Sequence, residues 1–170
     1  QGARGYLELH GEEQLLKYKL ALENLSLDSK DLVADFGCGI GLFLKVVEGR
    51  VGGVVGLNLS LEELKRAKDL VGGSAHLVQG DIETPPFREE VFTYIFSFTV
   101  LHHFKGVPEK ILSLKRFAKK GVVVSILRRT GAEREIREWI KDIKGVRVID
   151  NRSVKDILVI LPLTSPFPGG

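Results

Sequence analysis

Asp31-Leu-Val-Ala-Asp-Phe-Gly-Cys-Gly-Ile-Gly41 runs from a short apolar segment straight into three glycines at alternate positions. The first six residues read as a buried strand, and Leu42, Phe43, Leu44, Val46 and Val47 carry the apolar positions of a helix beyond the last glycine. Strand, glycine turn and helix together are the opening unit of a parallel sheet with helices on its faces. Glycines at 37, 39 and 41 let the backbone turn tightly and let a ligand lie against main-chain N–H groups. Asp35 closes the strand and puts a negative charge where the pyrophosphate of a dinucleotide would be repelled, so a ligand with a cationic group is favoured. The glycine spacing agrees, because a dinucleotide fingerprint has its third glycine one residue later, where this chain has Leu42. Cys38, inside the loop, reads as a small residue packed under the helix.

The same alternation continues outward. Upstream, residues 1–11 read as irregular, and Leu15, Tyr18, Leu22 and Leu25 mark one buried stripe of a helix from Glu12 to Leu25. Downstream, Gly53 to Leu57 is a second strand, and Ser60 with Glu63 three residues later is a capping box that opens the next helix. Ala75 to Gln79 makes a third strand, and Phe92 to Phe98 a fourth after the Thr84-Pro-Pro86 break. Pro108 sits well at the start of a helix running through Ile111, Leu114 and Phe117, and Gly121 to Leu127 is a β-branched fifth strand. Ile136, Trp139, Ile140 and Ile143 form the apolar stripe of a helix over 132–143. Val146 to Ile149 and Asp156 to Leu161 close the chain as a hairpin across Asp150-Asn-Arg-Ser153. The fold class is therefore α/β: a doubly wound, seven-stranded, mostly parallel sheet with a C-terminal antiparallel hairpin. It is expected as one domain, with residues 1–31 as an N-terminal helix or lid, 32–161 as the core and 162–170 as a tail. In such sheets ligands lie at the carboxyl ends of the strands, beside the point where strand order reverses.

Composition narrows the classes. The chain has 170 residues, 25 Lys and Arg against 22 Asp and Glu, a formal charge of +3 and 44% apolar residues. That is long enough to bury a core without disulfide or metal staples. A lone Cys38 excludes an internal disulfide framework and fits a reducing cytoplasm. No apolar run approaches a membrane span, and the first residues lack the layout of a signal peptide. The absence of Met and the start at Gln1 suggest a missing N-terminal piece. Scarce Asn, Gln and Cys set against abundant Lys, Arg and Glu resemble thermophile usage.

Three further segments match a known pattern in order and spacing: Val54-Val-Gly-Leu-Asn-Leu-Ser60, Leu77-Val-Gln-Gly-Asp-Ile82 and Phe92-Thr-Tyr-Ile-Phe-Ser-Phe-Thr-Val-Leu-His-His-Phe104. With the glycine loop, they make the chain similar to class I S-adenosylmethionine-dependent methyltransferases of type 11, which are Rossmann-like. The resemblance runs from about Leu32 to Leu161. It implies S-adenosyl-L-methionine as cofactor and S-adenosyl-L-homocysteine as product. Asp35 would help bind the amino group of the methionine moiety, and Gly37, Gly39 and Gly41 would admit its carboxypropyl arm. Asn58 stands where the family has an acid that holds the ribose hydroxyls, and a neutral amide makes a weaker hydrogen bond than a carboxylate. Asp81 would accept from the adenine amino group, with Ile82 as the apolar wall beneath the ring. Thr93, where relatives usually carry Asp, is a second departure and reads as support for the fold.

Ser97 to Phe104, including Phe98, would form the pocket floor beside the sulfonium. His102 and His103 are the imidazoles there, read either as the acceptor-site wall or general base, or as helix-entry residues with satisfied hydrogen bonds. Methyl transfer from a sulfonium needs alignment and desolvation more than a nucleophile or a metal, which agrees with the lack of zinc spacing or a Ser-His-Asp set. Tyr6 is a candidate to close over the cofactor. Small-molecule acceptors are the commoner outcome for the Leu-His-His-Phe pattern, with RNA or protein the alternative. Lys115, Arg116, Lys119, Lys120, Arg128 and Arg129 form a basic run that is either a solvated helix end or an RNA footprint. A catalytically weak subunit of the same fold is the non-enzymatic alternative.

Overall fold

Strands mostly alternate with helices in the computed structural model, which describes residues 2–163, with side chains from residue 11 onward. Helix α1 (Gly2–Glu23) precedes β1 (Leu32–Phe36), and α2 (Leu42–Val47), β2 (Gly53–Asn58), α3 (Leu61–Val71) and β3 (His76–Gln79) follow. After β4 (Phe92–Phe98) come a 3-10 turn (Leu101–His103), α4 (Val107–Lys115) and β5 (Ala118–Leu127). Helix α5 (Gly131–Trp139), a 3-10 turn (Ile140–Asp142), β6 (Arg147–Ile149) and β7 (Asp156–Pro162) complete the described residues. The seven strands lie in the order β3-β2-β1-β4-β5-β7-β6. Pairs from β3 to β5 are parallel, whereas β7 runs antiparallel to both β5 and β6. Winding reverses between β1 and β4, and this reversal leaves a crevice at the carboxyl ends of those two strands.

Side chains on successive strand positions point to opposite faces, so β1 feeds two cores. Ala34 and Phe36 pack with Ile111 and Leu114 of α4 and Ile136 of α5. Val33 packs on the other face with Tyr18 of α1, Phe43 of α2 and Leu64 of α3. Thr93, one of the two departures from the family pattern, is buried and its Oγ1 accepts from the Leu32 N–H at 3.0 Å, so it anchors the start of β1.

Several boundaries differ from those expected. Residues 2–11 are helical backbone rather than irregular, and α1 starts at Gly2. Once Tyr18, Ala21 and Leu22 are buried against the sheet, a nucleated helix extends at the cost of one residue per hydrogen bond, even through residues without an apolar stripe. Strand β5 starts at Ala118 because that residue pairs with Phe92, ahead of a register irregularity. Helix α5 gives way at Ile140 to a 3-10 turn that ends in extended backbone at Ile143, so the apolar stripe continues in tighter geometry.

Candidate functional site

The glycine loop is stitched to the end of β2. Gly37 and Cys38 donate their N–H groups to the Leu57 carbonyl at 2.7 and 3.0 Å, Gly39 donates to Asn58 Oδ1 at 3.1 Å, and Gly41 donates to the Cys38 carbonyl at 3.0 Å. These four donors are therefore committed within the protein, and their part in ligand binding is to shape the wall. Gly37 has φ +83, and a Cβ there would come 2.6 Å from Val100 Cγ2. Gly39 has φ +53 and nothing within 4 Å of where its Cβ would stand, so it leaves open space on the cleft side. Directly behind the loop, Asp35 is 3% exposed and its Oδ1 has no hydrogen-bond partner. Burial pushes its carboxyl up from 3.8 to about 8. Cys38 is buried with Sγ over Gly56, and burial together with the Asp35 charge pushes its thiol upward, which makes it inert.

A cleft of about 1360 Å³ opens at the carboxyl ends of β1, β2 and β4. Of the expected site residues, Gly37, Gly39, Asn58, Asp81, Ile82, Phe98 and His103 line it. Asp35 and His102 are not among the lining residues, and Gly41 packs against Ala67. Tyr6 falls outside the residues whose side chains are described. Asp81 Oδ1 accepts from the Glu83 N–H at 2.9 Å and its carbonyl accepts from Thr84, so the turn holds the carboxylate at the cleft edge.

Asn58 is 8% exposed and its amide is used at both ends. Oδ1 takes the Gly39 bond, while Nδ2 donates to Glu63 Oε2 at 2.7 Å and more weakly to the Ser60 carbonyl at 3.4 Å. The capping box is thus half formed: Ser60 Oγ accepts from the Glu63 N–H at 3.3 Å, but the Glu63 carboxylate turns to Asn58. Glu63 lines the cleft, a place its capping signature alone did not reveal.

At the other end, Tyr18 and Phe98 line the cleft with ring centroids 4.9 Å apart, and Phe43 lies 5.2 Å from Tyr18. Thr99 follows β4 in the left-handed region, with φ +55. Its N–H donates to Ser125 Oγ at 2.8 Å and its hydroxyl to Asp156 Oδ2 at 2.7 Å, while Lys17 Nζ donates to that hydroxyl at 3.1 Å. Thr99 lies within the stretch expected as the pocket floor, whereas Lys17 was missed in the sequence because its contacts join α1, β4 and β7. The rings of His102 and His103 have centroids 3.9 Å apart. His102 Nδ1 is buried without a partner, and burial, then the neighbouring His103, holds the His102 pKa below its ordinary value.

The basic run is divided by β5. Lys115, Lys119 and Lys120 are exposed at its amino end, where Arg116 pairs with Glu89. At its carboxyl end Arg129 is exposed, while Arg128 is engaged by Asp150 and by the carbonyls of Asn151 and Asp156. A strand of this length puts about 30 Å between the two groups. Among the described residues no group of three or more His, Cys, Asp or Glu could hold a metal ion, and no helix is long and apolar enough to cross a membrane.

Residues 34–126, more than half of the chain, match a family model described as a methyltransferase domain. The chain is 35% identical over 96 residues to an uncharacterized methyltransferase of Synechocystis, covering 56% of this chain and 44% of that protein. It is 28% identical over 90 residues to an uncharacterized methyltransferase of Schizosaccharomyces pombe, covering 52% and 34% respectively. The chain thus aligns with less than half the length of either curated relative. A solved S-adenosylmethionine-dependent methyltransferase of Aquifex aeolicus superposes with a TM-score of 0.67 at 20% identity, covering 86% of this chain and 89% of that one.

Proposed function

We propose that this chain, which belongs to the methyltransferase-domain family as a class I S-adenosylmethionine-dependent member, transfers the cofactor's methyl group to a small molecule. The residues fit such a cofactor. An acidic oxygen, Asp35 Oδ1, lies buried and without a partner at the end of the strand that leads into the glycine loop, and Gly39 of that loop leaves its side-chain position open, which suits an ammonium group reaching the loop from the cleft. When bound, S-adenosylmethionine supplies a methyl carbon activated for in-line displacement by the charge on sulfur. Asp35 would compensate the cationic amino group, and Gly39 would leave room for the carboxypropyl arm. Asp81 would accept from the adenine amino group over the apolar Ile82. Tyr18 and Phe98 present aromatic walls that exclude water from the reacting region. His103, on the cleft wall, would take the proton that an N–H or O–H acceptor loses as its new bond to carbon forms.

The observation that carries the small-molecule reading is the division of the basic run. Its exposed lysines stand at the amino end of β5, while the cleft lies at the carboxyl ends of the strands. A polyanion on the lysine patch would lie a strand's length from the reacting centre. The test uses methyl-labelled S-adenosylmethionine with three acceptor pools: small metabolites, RNA and protein. Label in the metabolite pool supports this reading, and label in RNA or protein moves the acceptor to the alternative class. Calorimetry that detects no binding of S-adenosylmethionine or S-adenosylhomocysteine overturns the enzyme reading and leaves a structural subunit.

A further inference from the structure

We propose that Glu63 supplies the carboxylate that holds the cofactor's ribose hydroxyls, a role that rests on the S-adenosylmethionine reading above. Asn58, the residue at the carboxyl end of β2, has its oxygen bonded to the Gly39 N–H and its amide nitrogen bonded to Glu63. Its polar atoms are thus turned to the protein. The charge next to them belongs to Glu63, in the first turn of α3 and on the cleft wall. Oε2 accepts from Asn58 at 2.7 Å, which holds one oxygen of the carboxylate, while among the described residues no hydrogen bond occupies Oε1 and no cation pairs with Glu63. The nearby Arg66 is bonded to Glu62 instead.

A carboxylate held from one side by a neutral donor has unused lone pairs and prefers further donors. A vicinal diol presents two O–H groups that suit it. The position agrees with that occupant, since Glu63 is tied through Asn58 to Gly39 of the loop, while Asp81 and Ile82 stand at the end of the adjacent β3. A sugar linking an amino-acid arm at the loop to a base at Asp81 would pass between them. The chain thus moves the acid from the strand end to the first turn of the following helix, with Asn58 as the positioning residue that orients it. Asp69, also on the cleft wall, has no hydrogen bond to orient it.

The test is calorimetry with S-adenosylhomocysteine and its 2′,3′-dideoxy analogue on the intact chain and on E63Q, N58D and N58D/E63Q. E63Q keeps an oxygen for Asn58 to donate to, so the local fold is preserved, and melting temperature checks this. The expected result is a loss of about tenfold for S-adenosylhomocysteine in E63Q, with the dideoxy analogue changed less than about twofold. N58D/E63Q restores affinity because the acid returns to the strand end. Equal binding of S-adenosylhomocysteine to E63Q and the unaltered chain overturns the proposal, as does an equal loss for both ligands. If the unaltered chain binds neither ligand, the cofactor reading fails first and this assignment falls with it.

Discussion

Lys17 and Asp156 form an ion pair 3.4 Å long in which each side chain is only 1% exposed, joining α1 to the first residue of β7 beneath the cleft. Thr99, left-handed at the end of β4, is held between them by hydrogen bonds to both. The second half of α1 is therefore tied to the floor of the site. The turn carrying Val100 to His103 starts from a residue whose unusual backbone is fixed from two sides.

Breaking that pair from one side leaves a buried charge without compensation. K17M is expected to lower unfolding free energy by about 3–5 kcal/mol, and K17M/D156N to recover a substantial part because Asn still accepts from Thr99. Urea unfolding of the three proteins gives the comparison. An unchanged midpoint in K17M would show that the pair contributes nothing.

Asp35 makes stability depend on pH in an unusual direction. A carboxyl with a raised folded-state pKa keeps its proton in the native chain after the unfolded chain has ionised, so unfolding gains as pH rises. Asp35 should therefore make the ligand-free protein less stable as pH rises from 3.8 to about 8, and D35N should remove that contribution. A ligand ammonium reverses the preference by expelling the proton, so S-adenosylhomocysteine should bind more tightly as pH rises through the same window. Melting curves of both proteins at a series of pH values test the first effect, and parallel profiles would refute it.

The loop glycines should separate folding from binding. G37A places a methyl group 2.6 Å from Val100 in a left-handed backbone, and should cost about 2 kcal/mol or more in stability. G39A meets no atom within 4 Å, so it should retain the fold, at about 1 kcal/mol, while filling the open side of the loop. Calorimetry should then find S-adenosylhomocysteine binding weakened about tenfold in G39A. Full affinity in folded G39A would show that the ligand does not approach there.

The two imidazoles should part company as well. H103A is expected to slow methyl transfer about a hundredfold with cofactor affinity retained, because this ring faces the cleft. His102 has a depressed pKa, so the unfolded chain takes up its proton first and stability falls as pH drops through the ordinary histidine range. H102A should flatten that acid limb. Unchanged transfer in H103A, measured with the acceptor found in the labelling assay, would remove it from catalysis.

Much of this was legible locally. Leu32 to Phe36, the glycines and Leu42 onward read as strand, turn and helix because each obeys its own short period. The closing hairpin was visible from the Asp150-Asn-Arg-Ser153 turn between its strands. Thr93 was legible as structural, and its bond to Leu32 gives the reason. Helical residues before Glu12 were not legible, since no apolar stripe marks them. Nor was the use of Glu63: its capping spacing is genuine, but whether the side chain closes on Ser60 or reaches Asn58 depends on how β2 and α3 meet.

The sequence by itself determined the alternation of elements, the glycine turn after β1 and the acid behind it, because periodicity, turn chemistry and charge are properties of neighbours along the chain. Only the tertiary structure decided that the N–H groups of Gly37 and Gly39 are spent on β2, that Glu63 joins the cleft, and that Lys17 and Asp156 clamp Thr99. Those facts depend on distances between segments far apart in the chain. The strand order and its register set these distances, since they bring the ends of distant strands and helices to the same edge of the sheet.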